Sequence, residues 1–494
     1  MPFTPPDVQL AAIAPEVALC VAALVLLVLD AFTGSLWNRL HLPILATITL
    51  GIAGWLAIDQ WGTAGTQLSG MVAIDGFSIF IKVTLVVFGI MTVWCARDHL
   101  TRLGIEEGEF YPLALFVVAG MMLMASAADL IVMFLALETF SIGLYVMVGF
   151  RQHSLKSQES ALKYFLLGSF SSAFFLLGIA LVYGATGTTN LYGVSTPGAA
   201  EGVTQFLATT PAGGLGLLVV ATGLLIVGLG FKIAAVPFHA WTPDAYQGAP
   251  SPVTGFMAAG SKLAGFAALF RVLDAILFPL RGDWRPIVIA IAVASMVVGS
   301  LLAIVQEDLK RLLAYSSIAH AGFVLIGVVT ATDRGVSSSL FYLATYGLTV
   351  LGAFAIVAVV EGRDEEHMRL SDYRGLFYER PALAGALTLF MLSLAGVPLT
   401  SGFIGKLLVF GAAVDGGYTW LAVIGVLASA LAAFFYLRVL VVMYMQEADQ
   451  PSALSTSAGI PTYAVIGVAA LATVVLGITW GPLFKLAEDA TFFF

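Results

Sequence analysis

Residues 230–262 read GFKIAAVPFHAWTPDAYQGAPSPVTGFMAAGSK, and two lysines in this block interrupt otherwise apolar runs. Lys232 precedes Pro237 by five residues. Proline lacks a backbone N–H and clashes with the turn before it, so the helix that carries Lys232 should break there. Lys262 lies about ten residues into the next apolar stretch, deep in the bundle it belongs to. A broken helix at mid-membrane exposes backbone dipoles and admits water, which suits an ion site.

Outward from this block, the chain is apolar nearly throughout. Of its 494 residues 60% are hydrophobic and 11% charged, with 22 Lys+Arg against 30 Asp+Glu. A soluble chain of this length would carry roughly 120 charges. So few cannot cover a soluble surface, and a mean hydropathy of +0.97 agrees. A soluble enzyme and a disordered chain are thereby disfavoured. The net charge of -8 argues against a nucleic-acid binder, which needs a basic face. Cys20 and Cys95 lie in apolar stretches without CxxC spacing, which supports neither a metal site nor a disulfide. The opening MPFTPPDVQL has no positive n-region, so no cleaved signal peptide is expected.

A membrane-spanning helix needs about 20 mostly apolar residues. That rule yields an all-α membrane protein with fourteen spans, at 10–31, 42–58, 76–96, 110–127, 129–150, 161–184, 214–236, 252–277, 287–306, 310–330, 337–360, 382–412, 418–444 and 462–484. The whole chain, 1–494, is then one polytopic domain. The longest loops are 185–213, rich in Gly, Thr and Pro, and 361–381, which carries Arg363, Arg369, Arg374 and Arg380. Of the basic residues, 12 fall on the side opposite the termini, 5 on the terminal side (Arg271, Arg281, Arg285, Arg334 and Lys485) and 5 are lysines within apolar runs. The positive-inside rule then puts both termini on the non-cytoplasmic side.

A faint internal repeat divides the spans. Ser160–Tyr164 (SALKY) resembles Ser338–Tyr342 (SSLFY), and Ala234–Pro237 (AAVP) resembles Ala395–Pro398 (AGVP); both pairs are five spans apart. Units with an odd number of spans insert in opposite orientations, as in inverted-repeat transporters. The expected organisation is three N-terminal spans in 1–109, a five-helix repeat in 110–277, its inverted copy in 287–444, and a last span at 462–484, with one Pro-broken helix per repeat, at Pro237 and at Pro398.

An ionised side chain at the bilayer centre costs about 2.5–3.5 kcal/mol on insertion scales, so such residues persist where they pair or line a polar path. Glu138, Lys163, Lys232, Lys262 and Lys406 occupy such places, with His320 as a titratable neighbour beside Ser316 and Ser317. Lys406 follows Pro398 by eight residues, so each expected break has a lone lysine near it. Lys163 sits near the start of its span, where snorkelling to the interface competes, and Lys82 reads as structural. The chemistry open to this set is proton transfer. A lysine stripped of water favours its neutral form, and a carboxylate brought close restores the charge. Moving Glu138 relative to Lys232 would switch proton release, with Lys262, His320 and Lys406 as a water-linked relay. A scaffold in which these charges only pin helices together is the alternative. No GxxxxGK[ST] and no strand-linked GxGxxG occurs, and the six histidines are scattered, so no nucleotide, haem or metal site is expected in this chain.

The segments LALETFSIGLYVMVG (135–149), ESALKYFLLGSFSSAFFLLGIALVYG (159–184), 230–262, QEDLKRLLAYSSIAHAGFVLIG (306–327) and AGVPLTSGFIGKLLVF (395–410) resemble the antiporter-like membrane subunits of respiratory complex I, the proton-translocating NADH–quinone oxidoreductase. The resemblance is to the member without a long C-terminal extension and with a lysine at the place of Lys406. It implies a translocase subunit in a bacterial inner membrane, assembled with other membrane-arm subunits. NADH, flavin, iron–sulfur clusters and quinone would be bound by partner subunits, with no redox chemistry in this chain. By the same resemblance Glu138 and Lys232 form the coupling pair, Lys262 is the central relay and Lys406 lies near the exit. Lys163 and His320 match positions of lesser weight. The second repeat offers Ala314 or a neighbour opposite Glu138, so the carboxylate is not duplicated. A subunit of a multisubunit sodium/proton antiporter, or the membrane arm of a hydrogenase-type complex, shares the Glu138/Lys232 logic.

Overall fold

The computed structural model describes residues 9–33, 40–105, 108–193, 202–211, 215–361, 368–447 and 459–492. Arg39 and Arg363, counted above among the basic loop residues, lie outside them. The chain begins with α1 (Ala14–Thr33) and α2 (His41–Asp59), then a hairpin of β1 (Gly65–Gln67) and β2 (Val72–Ile74) in antiparallel register. There follow α3 (Gly76–Leu103), α4 (Phe110–Ser126), α5 (Leu130–Val148), α6 (Leu155–Thr186), α7 (Val203–Thr209), α8 (Gly216–Lys232) and α9 (Trp241–Gly248). One helical rod then contains α10 (Ser251–Phe256), a π turn at Met257–Ser261 and α11 (Lys262–Phe270). The second half holds α12 (Arg281–Ile304), α13 (Leu309–Thr330), α14 (Asp333–Val360), α15 (Leu376–Glu379), α16 (Pro381–Ala395), α17 (Ser401–Asp415), α18 (Thr419–Met445), α19 (Ile460–Ile478) and α20 (Gly481–Asp489).

The chain is an all-helical, multi-pass membrane protein. Among the described residues eleven helices are long and apolar enough to cross a membrane, and three shorter apolar ones accompany them: Phe110–Ser126, Gly216–Lys232 and Pro381–Ala395. Eleven is fewer than the fourteen spans expected, and two of those fourteen were expected to be broken at proline. The stretches 214–236 and 382–412 do not run as single helices, because α8 ends at Lys232 and α16 ends at Ala395. Residues 233–240 and 396–400 are non-helical and contain Pro237 and Pro398. Ala234, Gly396 and Leu399 adopt positive φ of 59°, 89° and 69°, which an α-helix cannot contain.

Several helices start where a short polar side chain caps free N–H groups. Asp75 accepts from Ser78 N ahead of α3, Asp129 from Ile131 N ahead of α5, Ser154 from Ser157 N ahead of α6, and Asp308 from Arg311 N ahead of α13. The cap at Ser154 starts α6 six residues before the expected 161 and puts Lys163 inside its third turn.

Burial sorts the rods. The rod Ser251–Leu273 is wholly buried over its most apolar window, and α13 and α14 are 94% buried there, whereas α2, α6, α18 and α19 are 33–39% buried. The inner rods carry Lys262, Ser317 and His320; the outer ones present apolar side chains outward, as contact with lipid requires.

Candidate functional site

The first break is closed by side chains. Trp241 Nε1 donates to the Phe231 carbonyl at 3.0 Å, and Ser295 Oγ accepts from Val236 N at 2.9 Å. These bonds satisfy groups that a continuous helix would have paired internally. Lys232, only 2% exposed, directs Nζ toward α5, donating to Ser141 Oγ at 2.6 Å and to Tyr145 OH at 3.5 Å. The rings of Phe140, Tyr145, Tyr164 and Phe231 lie 5.4–5.7 Å from the same nitrogen. Their faces accommodate a cation without supplying a counter-charge.

Glu138 lies one turn before Ser141 on α5. Half-buried, it accepts a hydrogen bond from Ser172 Oγ on α6. Among the described residues Glu138 and Lys232 form no direct ion pair; Ser141 takes the lysine instead. The two groups expected to act as a pair thus share one stretch of α5 but are held apart by hydroxyls.

The rod of α11 continues from there. A Cβ placed on Gly265 would sit 3.4 Å from Lys232 Cβ and 2.9 Å from Ile233, so α11 runs directly against the end of α8. Three residues earlier, Lys262 Nζ donates to the Ser317 carbonyl on α13. One turn on from Ser317, His320 is bridged on both sides: Nδ1 to Tyr342 OH at 2.6 Å and Nε2 to Tyr436 OH at 3.0 Å. Tyr436 OH also shares a short hydrogen bond with Ser316 Oγ. A cavity of about 10 Å³ beside His320 is lined by Tyr342, Tyr346, Ser393 and Leu394. That is room for roughly one water.

The second break is built differently. Lys406, on α17, reaches back to the end of α16 and donates to the carbonyls of Leu394 (2.8 Å) and Ala395 (2.9 Å), and to Ser429 Oγ (2.7 Å) on α18. Its Nζ stands 5.0 Å from the Phe323 ring centre. The last carbonyls of a helix carry a partial negative charge, which the ammonium complements. The half-helices also touch backbone to backbone: a Cβ on Gly402 would fall inside the Ser393 carbonyl, so only glycine fits there.

Five of the six sequence-derived candidates therefore fall along one file, from half-buried Glu138 past the buried Lys232 and Lys262 to His320 and Lys406. Lys163 does not join it. It is about half-exposed and pairs with Glu159 at 2.7 Å and Asp244 at 3.0 Å; Asp244 in turn holds Arg311 at 2.7 Å. Chemically such ammonium, imidazole, phenol and hydroxyl groups can hold protons, and the cavity beside His320 has room for a water that could relay one. Among the described residues no group of three His, Cys, Asp or Glu side chains is placed to hold a metal.

Sequence reasoning missed several buried charges. Glu361, just past α14, accepts from Ser251 Oγ and pairs with Arg151 at 2.8 Å, Lys310 at 3.1 Å and His99 at 3.5 Å. Burial alone would raise its carboxyl above the usual range, but Lys310, Arg151 and His99 hold it well below. Arg151 and Lys310, counted above as loop charges, are buried partners of this carboxylate. Arg271, one of the five basic residues assigned to the terminal side, is also buried: it grips Asp75 with two N–H groups at 3.0 and 3.1 Å and donates to Tyr192 OH and the Ala125 carbonyl, both at 2.9 Å. Lys82, read from sequence as structural, pairs with buried Glu16 at 2.7 Å, a partner the sequence did not single out. The hydroxyls of Ser141, Ser172, Ser429 and Tyr436 gave no signal in sequence, because serine and tyrosine are ordinary in membrane helices.

Residues 127–432 match the family described as NADH:quinone oxidoreductase/Mrp antiporter, TM. NADH-quinone oxidoreductase subunit N of Chloroflexus aggregans is 41% identical, with 98% of each chain covered. The protein of the same name from Trichlorobacter lovleyi is 44% identical over 90% of this chain and 89% of that one. A chain in the solved structure of respiratory complex I from Thermus thermophilus with bound aureothin is 34% identical and superposes with a TM-score of 0.78, covering 96% of this chain and 99% of the other.

Proposed function

This chain belongs to the membrane family of NADH:quinone oxidoreductases and Mrp antiporters, and from that membership we propose that it serves as an N-type, proton-conducting membrane-arm subunit of an NADH–quinone oxidoreductase. It assembles with other membrane-arm subunits in a bacterial membrane and belongs to a proton-pumping translocase. The observation that carries this reading is the file of buried, protonatable side chains from Lys232 to Lys406, which crosses the bundle through its most buried rods. NADH, flavin, iron–sulfur clusters and quinone belong to partner subunits.

In the proposed mechanism Lys232 is the switch. Ser141 and four aromatic faces hold its amine with no counter-charge in contact, so a small approach of Glu138, now engaged by Ser172, changes the stability of the ammonium form. A proton released there passes by way of Lys262 and His320, whose ring nitrogens face Tyr342 and Tyr436, toward Lys406. Lys163, tied to Asp244 and Glu159, joins the charges at the rim.

The same reading gives the chain fourteen spans. The eleven long helices and the three shorter apolar ones supply them, with α9 and α17 as the second halves of the broken helices. The spans within 110–277 and 287–444 form inverted repeats, supported by two breaks that each have a lysine at the joint. Both termini face away from the cytoplasm, supported by Arg97, Arg102, Lys156, Arg369, Arg374 and Arg438 on the opposite side.

The test is proton pumping per NADH oxidised in vesicles that carry the fully assembled complex with Lys232→Ala. Lowered turnover and pumping are expected; unchanged pumping leaves only a scaffold. The family description also covers antiporters, which gives a second reading: a cation-antiporter subunit. Copurification with flavin and iron–sulfur subunits supports the first; isolation in a complex without them supports the second.

A further inference from the structure

Away from the buried file, the end of α18 that carries Arg438 packs beside the end of α12. A cavity of about 330 Å³ opens there, lined by Glu307, Arg369, Ser371, Arg374, Arg438 and Gln446. Among the described residues its lining includes three arginines and one carboxylate-bearing residue, Glu307. Two of them are fixed by the fold: Arg438 donates to the Ile304 carbonyl at 2.8 Å and the Gln306 carbonyl at 3.2 Å, closing the end of α12, and Arg374 Nε donates to Gln446 Oε1 at 3.0 Å. The cationic wall is therefore pre-positioned.

From this cavity an apolar strip runs down the outside of the bundle. On α18 it consists of Phe434, Leu437 and Val441, whose spacing of three and four places them on one helix face. On α12 it consists of Leu301, with Val305 just past the end of that helix. All five are 41–68% exposed. A cationic hollow at the end of an exposed apolar trough matches a molecule with an anionic head and hydrocarbon tails. Free phosphate would use the hollow alone, and a neutral lipid would use the strip alone.

We propose that this cavity binds the phosphate headgroup of an anionic phospholipid, with its acyl chains lying along the strip between α12 and α18. Guanidinium forks match phosphate oxygens in geometry as well as charge. Basic residues close to a membrane surface each add about 1 kcal/mol of attraction to anionic lipid, about fivefold in affinity. The inference does not depend on the proton relay.

The test uses the intact purified complex. Native mass spectrometry after transfer into micelles doped with phosphatidylglycerol or with phosphatidylcholine counts the bound lipid, compared between wild type and variants. Phosphatidylglycerol is expected to be retained, with phosphatidylcholine failing to displace it. Arg369→Gln with Arg374→Gln should weaken retention by about 25-fold, fivefold for each arginine. Glu307→Gln, which removes the opposing carboxylate, should strengthen it by about fivefold, a change of opposite sign that loss of folding cannot mimic. Retention untouched by both substitutions, or displacement by inorganic phosphate as readily as by phosphatidylglycerol, overturns the proposal. So does a cross-link from Val441 to a neighbouring subunit that covers the strip.

Discussion

The two broken helices hold a lysine by opposite means. At the first joint Lys232 ends its own half-helix, surrounded by ring faces and one serine hydroxyl, with a carboxylate a turn away on α5. At the second, Lys406 belongs to the later half-helix and is bound to two carbonyls of the earlier one. The first lysine has a counter-charge close by but not in contact. The second has fixed partial charges in contact and, among the described residues, no carboxylate hydrogen-bonded to it. The difference teaches that a shared motif, Val-Pro with a lysine nearby, can leave its lysine among ring faces and a hydroxyl at one joint and tie it to backbone carbonyls at the other.

Removing each lysine is the strongest way to break that comparison. Lys232→Ala should lower NADH-driven pumping of the assembled complex about tenfold, equivalent to roughly 1.4 kcal/mol on the rate-limiting barrier, with its melting temperature little changed. Lys406→Met should lower the melting temperature as well, since three hydrogen bonds to a charged group are lost at about 1.5–3 kcal/mol each before relaxation. Equal melting temperatures for the two variants would sink the distinction. Glu138→Gln keeps a partner for Ser172 and deletes the charge; pumping should fall about fivefold, close to 1 kcal/mol, with assembly intact. A pumping rate equal to wild type would mean that the carboxylate is structural. Ser141→Ala leaves the lysine to Tyr145, and its expected loss of about two- to threefold, near 0.5 kcal/mol, is the smallest of the series. Proton flux in reconstituted vesicles reads all four.

The sequence made the joints legible because prolines, lysines and a glutamate are exceptions in an apolar background. Lys232, Lys262, Lys406 and Glu138 stood out by cost alone, and the breaks followed from the missing N–H of proline. What stayed hidden depends on folding. Glu361 meets Lys310 and Arg151 only when α14 returns beside α13, and Asp75 meets Arg271 across 196 residues. Each looked like a charge in a loop or at a helix end. Lys163, for which snorkelling to the interface competed with a place in the relay, pairs with Asp244, a partner that its position near a helix start does not reveal. The serine and tyrosine hydroxyls that connect the file carry no cost in a membrane helix, so nothing in composition marks them.

Gly402 gives the second joint a mechanical character. With no space for a single methyl group between the half-helices, α16 and α17 are seated like a keyed shaft, which can neither slide nor rotate without separating. A displacement of one half-helix therefore carries the other with it. Lys406 keeps its two carbonyl partners while the joint moves as one body.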